Sequence, residues 1–183
     1  MKFTRTEIPD VIVCEPNILK DERGYFFESF KQELFEAFIG SELQFTQDNE
    51  AKSTKGVLRG LHYQLPPFAQ TKLVRVVKGC VLDIAVDIRQ HSPTFGQYEA
   101  IELSDENKLQ LYIPKGFAHG YVVLSDEAIF SYKVDNYYNK ESERGIMFND
   151  PALQIDWQLP ANELIISEKD TNQPLFKQAD LFV

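Results

Sequence analysis

The chain has 183 residues, 43% of them apolar and 26% charged, with a formal net charge of −9. That length suits a single domain spanning 1–183 with a sizeable core, while the negative charge argues against nucleic acid and anionic membrane as partners. No apolar run approaches the roughly 18 residues of a membrane span.

The N-terminal Met-Lys-Phe-Thr-Arg-Thr-Glu has no apolar stretch behind it. Cys14 and Cys80 form no CxxC pair. Both features lead to the expectation of a cytoplasmic protein with two buried free thiols.

In chain order, the first clear element is a helix over Lys31–Ile39, where Leu34, Phe35 and Phe38 recur at helical spacing. From Val57 onward the period shortens. Val57–Tyr63, Lys72–Lys78, Val81–Ile88, Tyr98–Leu103, Leu109–Ile113, His119–Leu124 and Ala128–Asp135 read as strands, with Lys78-Gly79 read as a tight hairpin. So many short strands predict an antiparallel sandwich or barrel. The stretch after Tyr137 is less regular, with one short helical segment expected near Asp150–Leu153.

Side-chain parity sorts the strands further. Tyr132 shares a face with Phe130 and Val134 and points inward; His119 shares one with Tyr121 and Val123. Asp83 and Asp87 fall on the face of Val81 and Ala85, where carboxylates need partners or water. Strict alternation sends Arg59 and His62 to opposite faces. If both are to serve one pocket a bulge or kink is needed, and Gly60 is placed to allow it.

Gly56, His62 and the segment Pro114-Lys115-Gly116-Phe117-Ala118-His119 follow the spacing of a cupin signature. Gln64 stands where that signature has its second histidine, and no Glu follows, so a metal-dependent cupin is disfavoured. What remains is a set suited to moving protons. Neutral imidazole can take a proton, a phenol can return one from the opposite side, and Lys72 can stabilise a developing oxyanion. Asp83 and Asp170 can each fix a histidine tautomer.

Several segments, in order, resemble the dTDP-4-dehydrorhamnose 3,5-epimerase family. They are Asp21-Glu22-Arg23-Gly24, Gln47-Asp48-Asn49, Gly56 to Gln64, Lys72 to Val76, Ile113 to Gly120, Tyr132 with Tyr137-Tyr138, and Ser167-Glu168-Lys169-Asp170. The resemblance implies an isomerase with a mainly β, cupin-like double-stranded β-helix (a jelly-roll sandwich) and a few short helices. It also implies a homodimer that works without cofactor or metal. The implied substrate is the dTDP-sugar dTDP-4-dehydro-6-deoxy-D-glucose, and the product is dTDP-4-dehydro-L-rhamnose, on the route to dTDP-L-rhamnose and polysaccharide.

By the same resemblance His62 is the base, steadied by Asp170, and Tyr132 is the acid. Lys72 meets the C4 oxygen, and His119 with Asp83 forms a second His–Asp pair that binds substrate. Arg23, Arg59 and Lys169 meet the diphosphate or sugar. Glu28, Gln47, Asn49 and Glu143 contact nucleotide or sugar, and Tyr138 or its neighbour Tyr137 stacks on thymine. Arg23 and Glu28 are expected to reach the neighbouring subunit's pocket. A mono-epimerase acting at C3 or C5 alone, a 3,4-ketoisomerase and a non-catalytic sugar-binding cupin are the rival functions.

Overall fold

The computed structural model describes all residues from Met1 to Val183. The chain runs β1 (Lys2–Arg5), β2 (Ile12–Glu15), β3 (Leu19–Asp21), β4 (Gly24–Phe26), α1 (Gln32–Ile39), β5 (Gln47–Thr54), β6 (Val57–Gln64) and β7 (Lys72–Lys78). It continues through β8 (Cys80–Asp87), β9 (Tyr98–Ser104), β10 (Gln110–Ile113), β11 (Phe117–Val123), β12 (Glu127–Val134), β13 (Glu143–Gly145) and β14 (Ile165–Ile166). One six-stranded sheet has the order β1-β2-β10-β7-β12-β5; the other is β13-β6-β11-β8-β9 with β14 beside β6. From β5 to β12 the chain passes repeatedly from one sheet to the other, the winding of a jelly-roll sandwich.

The packing explains why these segments became strands. The core between the sheets takes Val74, Val76 and Phe130 from the first and Val81, Ala85, Tyr121 and Val123 from the second. The outer face of the second sheet carries Leu82, Ile84, Val86 and Val122, covered by Ile146, Leu153, Trp157 and Phe176 of the C-terminal segment. Strand β8 is therefore buried on both faces, which its nearly continuous apolar run requires. Each such Val, Leu or Ile contributes about 1.5–3 kcal/mol by leaving water. On the outside of the first sheet, α1 buries Phe35 against Ile12, Leu73 and Tyr112, with Phe3 edge-on at 4.9 Å. The helix ends where Gly40 turns left-handed at φ 77° and donates its amide to the Glu36 carbonyl.

Two expectations fail here. Lys78-Gly79 does not close a hairpin: β7 pairs with β10 and β12, whereas β8 pairs with β11 and β9. Gly79 (φ 82°) instead carries the chain between sheets. A Cβ there would lie 2.1 Å from the Glu127 carbonyl oxygen. The segment at Asp150–Leu153 is a turn, not a helix. Asp150 spends its carboxylate on the amides of Ala152 and Phe176, and Gln154 (φ 52°) diverts the chain. Of the two thiols, Cys14 is buried and Cys80 half-buried, and both are free. No helix is long and apolar enough to cross a membrane.

Candidate active site

The site begins with an irregularity in β6. Across the β11–β6 ladder His119 pairs with His62 and Tyr121 pairs with Arg59, so two residues advance on β11 while three advance on β6. This is the irregularity that Arg59 and His62 need if both are to serve one pocket. Gly60 makes it possible: its φ is 137°, and a Cβ there would sit 2.5 Å from the Gly120 Cα. Leu61 and Tyr63 go to the outer core, while Arg59 and His62 both line one cavity of about 530 Å³ between the sheets.

Lys72 of β7, Tyr132 and Phe130 of β12, His119 and Tyr121 of β11, and Ser167, Lys169 and Asp170 line the same cavity. Its walls thus come from both sheets and from the C-terminal segment.

His62 Nε2 meets Asp170 Oδ1 at 2.5 Å, and the carboxylate is 3% exposed. A carboxylate on Nε2 fixes the proton there and leaves the lone pair of a neutral ring on Nδ1. A tight turn delivers Asp170, its amide bonded to the Ser167 carbonyl and hydroxyl at 2.9 and 3.2 Å. Burial works to raise the Asp170 pKa, but hydrogen bonds from His62, Ser167 and the Gly60 amide outweigh it and hold the group ionised.

The second pair is built differently. His119 Nε2 lies 3.0 Å from each Asp83 oxygen, the histidine 7% exposed and the aspartate 0%. Burial lowers the His119 pKa, Asp83 opposes that and Lys72 reinforces it, so the ring stays neutral. Lys72 loses hydration in the cavity and its pKa falls to about 8, against the pull of Asp83 and Glu143. Burial raises the Tyr132 pKa although Arg59 works the other way, so the phenol keeps its proton at neutral pH. Arg59, Lys72 and Lys169 converge here in a chain whose net charge is negative, making a local seat for an anion.

Other predicted residues stand around the rim. Glu143 holds Lys169 at 2.6 Å and accepts from the Tyr138 hydroxyl at 3.0 Å, linking an exposed aromatic ring to the cavity wall. Tyr137 is equally exposed, its side chain without such a tie. Gln47 and Asn49 bond to each other at 2.7 Å and share the β5 face of Ala51, which lines the cavity. Asp83 stands behind His119 rather than in the wall.

Arg23 and Glu28 are not brought to this cavity. Arg23 pairs with Asp21 on the exposed β3–β4 hairpin, and Glu28 lines a separate groove with Met1 and Lys31. Sequence reasoning missed Ser53, which accepts from Arg59 Nε at 3.2 Å, because β5 is too polar to announce a strand. It placed Tyr121 on the His119 face without giving it a task. No three His, Cys, Asp or Glu side chains are grouped as a metal site would need.

Comparison with known proteins adds a second line of observation. The family described as dTDP-4-dehydrorhamnose 3,5-epimerase matches residues 5–178. A dTDP-4-dehydrorhamnose 3,5-epimerase of Shigella flexneri is 56% identical over 183 residues, covering 100% of both chains. The crystal structure of the enzyme of that name from Elizabethkingia anophelis superimposes with a TM-score of 0.94 at 54% identity, over 97% of each chain. A Legionella pneumophila dTDP-6-deoxy-D-glucose-3,5-epimerase, solved in complex with dTDP-4-keto-L-rhamnose, gives 0.94 at 49%, covering 98% of this chain and 94% of its own.

Proposed function

The chain belongs to the dTDP-4-dehydrorhamnose 3,5-epimerase family, and from that premise we propose how its cavity inverts C3 and C5 of dTDP-4-dehydro-6-deoxy-D-glucose to give dTDP-4-dehydro-L-rhamnose. Its fold is the cupin-like β-sandwich of its structural neighbours, and it is an isomerase.

The hydrogens at C3 and C5 both flank the C4 ketone, so removing either yields an enolate. His62 takes the hydrogen as a proton on its free ring nitrogen, and the C–H electron pair moves into the enolate. Asp170 steadies the imidazolium that forms. Lys72, charged at neutral pH, meets the negative C4 oxygen. Tyr132 then gives its phenolic proton to the opposite face of the same carbon. Exchange with water resets both residues, and the sugar leaves unchanged in composition, each inverted carbon carrying a hydrogen drawn from solvent.

One observation carries this reading: His62 and Tyr132 come from different sheets and line the same cavity from its two walls. Inversion needs a base and an acid on opposite faces of one carbon, and the sandwich supplies opposite walls. His119, backed by Asp83, binds the sugar. Arg59 and Lys169 take the diphosphate, where bidentate contact fixes register. Gln47, Asn49 and Glu143 hold sugar or nucleotide, and Tyr138, kept in place by Glu143, stacks on thymine.

Residues 1–183 act as one domain in the cytoplasm, as a homodimer. The β3–β4 hairpin exposes Leu19, Tyr25 and Phe26 and carries Arg23 away from its own cavity, which suits an arm that reaches the cavity of a second copy together with Glu28.

The test is solvent-deuterium exchange into dTDP-4-dehydro-6-deoxy-D-glucose followed by NMR. Deuterium at C3 and C5 with inversion at both is the expected result. Label at one carbon alone would make the chain a mono-epimerase, and no label at all would remove the proton-transfer mechanism.

A further inference from the structure

Tyr121 lies in the second sheet, paired with Arg59 on one side and Asp83 on the other. Its ring stacks on Phe130 at 4.1 Å with an interplanar angle of 18°, so its position is set by packing. It is 5% exposed and lines the cavity. Its hydroxyl is the only buried side-chain nitrogen or oxygen in the chain with no hydrogen-bond partner. Ser53 is near enough to influence the phenol's acidity but does not meet Tyr121 in bonding geometry; the bond it makes is with Arg59 Nε, from which its oxygen accepts at 3.2 Å. Buried hydroxyls are nearly always paired, and one left alone carries the full penalty of desolvation. An unpaired hydroxyl buried in a cavity wall beside an arginine is a donor that a bound ligand can satisfy, once a small shift of the wall uncovers it.

We propose that the Tyr121 hydroxyl donates a hydrogen bond to an acceptor oxygen of the bound nucleotide-sugar, next to the group held by Arg59. The inference rests on the reading of the cavity as a dTDP-sugar site and adds a residue to it. Burial raises the Tyr121 pKa, opposed by Ser53 and Arg59, so the phenol is protonated at neutral pH and serves as a donor. The acceptor is a diphosphate oxygen or a hexose oxygen, and the chemistry asked of Tyr121 is the same for both. The contact forms on binding and persists through the reaction, so it belongs to affinity and not to the turnover step.

The test is Tyr121→Phe, which keeps the ring and its stack on Phe130 and removes only the hydroxyl. Calorimetric titration with dTDP and with dTDP-glucose is run on both proteins, alongside ligand-free melting curves. We expect the ligand-free Tm of the variant to be unchanged or raised by roughly 2–4 °C, because no protein bond is lost. We expect affinity to fall by about tenfold, with kcat little changed. A loss with both ligands places the acceptor on the diphosphate; a loss with dTDP-glucose alone places it on the hexose. Unchanged affinity for both ligands would overturn the proposal. So would a lower ligand-free Tm, which would show that the hydroxyl is satisfied within the protein. Wild-type protein that binds neither ligand would remove the dTDP-sugar reading itself, and the inference with it.

Discussion

Two imidazole–carboxylate pairs face the same cavity from neighbouring strands, and they are built in opposite ways. His62 and His119 are register partners across the β6–β11 ladder. Yet His119 and Asp83 sit on regular central strands with no solvent access to the carboxylate, while His62 rides on a bulge and meets a carboxylate from a turn in the C-terminal segment. The His62 side chain is 29% exposed and that of His119 is 7%. A residue that must take up a proton and release it needs contact with water and a partner that stabilises its charged form. A residue that must only hold a substrate group is better fixed in the core. The contrast suggests that irregular backbone marks the working pair and regular ladder the supporting one.

That contrast can be broken most directly at His62. His62→Ala should lower turnover by roughly 10⁴ while leaving calorimetric binding of dTDP largely intact; substantial residual turnover would end the assignment of the base. Tyr132→Phe should lower the rate of inversion by roughly 10²–10⁴. Deuterium wash-in should continue in that variant, because deprotonation does not need the phenol. Loss of exchange together with inversion would move Tyr132 to an earlier step.

Asp83→Asn tests the supporting pair, and its effect should be an order of magnitude or so on turnover, well below that of Asp170→Asn. It should also change the pH profile. The Lys72 pKa is lowered to about 8, so the amine is charged below that pH and neutral above it. Turnover should therefore fall as pH rises through about 8. Asp83 opposes this lowering more than Glu143 does, so Asp83→Asn should move the basic limb to lower pH. Glu143→Gln should move it in the same direction by a smaller amount. A limb that stays in place in both variants would mean another group titrates there.

Much of this was readable in the residues, for reasons that differ from place to place. Strands β7, β8 and β10 to β12 are flanked by core on one or both faces, so alternation or continuous apolar character marks them. Parity alone placed Tyr132 inward and put Asp83 on the face of Val81 and Ala85; it also showed that Arg59 and His62 can share a pocket only through an irregularity, for which Gly60 is placed. Strand β5 left no such trace. It is an edge strand whose outer face meets water and whose inner face meets a polar cavity, so Gln47-Asp48-Asn49-Glu50 reads as loop. Gly79 was misread because a turn residue announces a change of direction and not which sheet the next strand joins. Arg23 was legible as a motif but not as a location, since nothing local to Asp21-Glu22-Arg23-Gly24 says how far the hairpin stands from the cavity.

The delivery of Asp170 has a consequence for how the protein matures. All the strands that place His62, Lys72, His119 and Tyr132 are present once synthesis reaches Val134, and the ladders among them can close around the cavity. Asp170, the partner proposed for the base, lies in a turn made later, just beyond β14 and its parallel pairing with Val57 and Leu58 of β6. A chain grown only to Val134 thus holds His62 without its carboxylate and leaves Leu82, Ile84, Val86 and Val122 of the second sheet without their cover. Activity should therefore await the docking of the C-terminal segment and appear together with the burial of Trp157 against the second sheet.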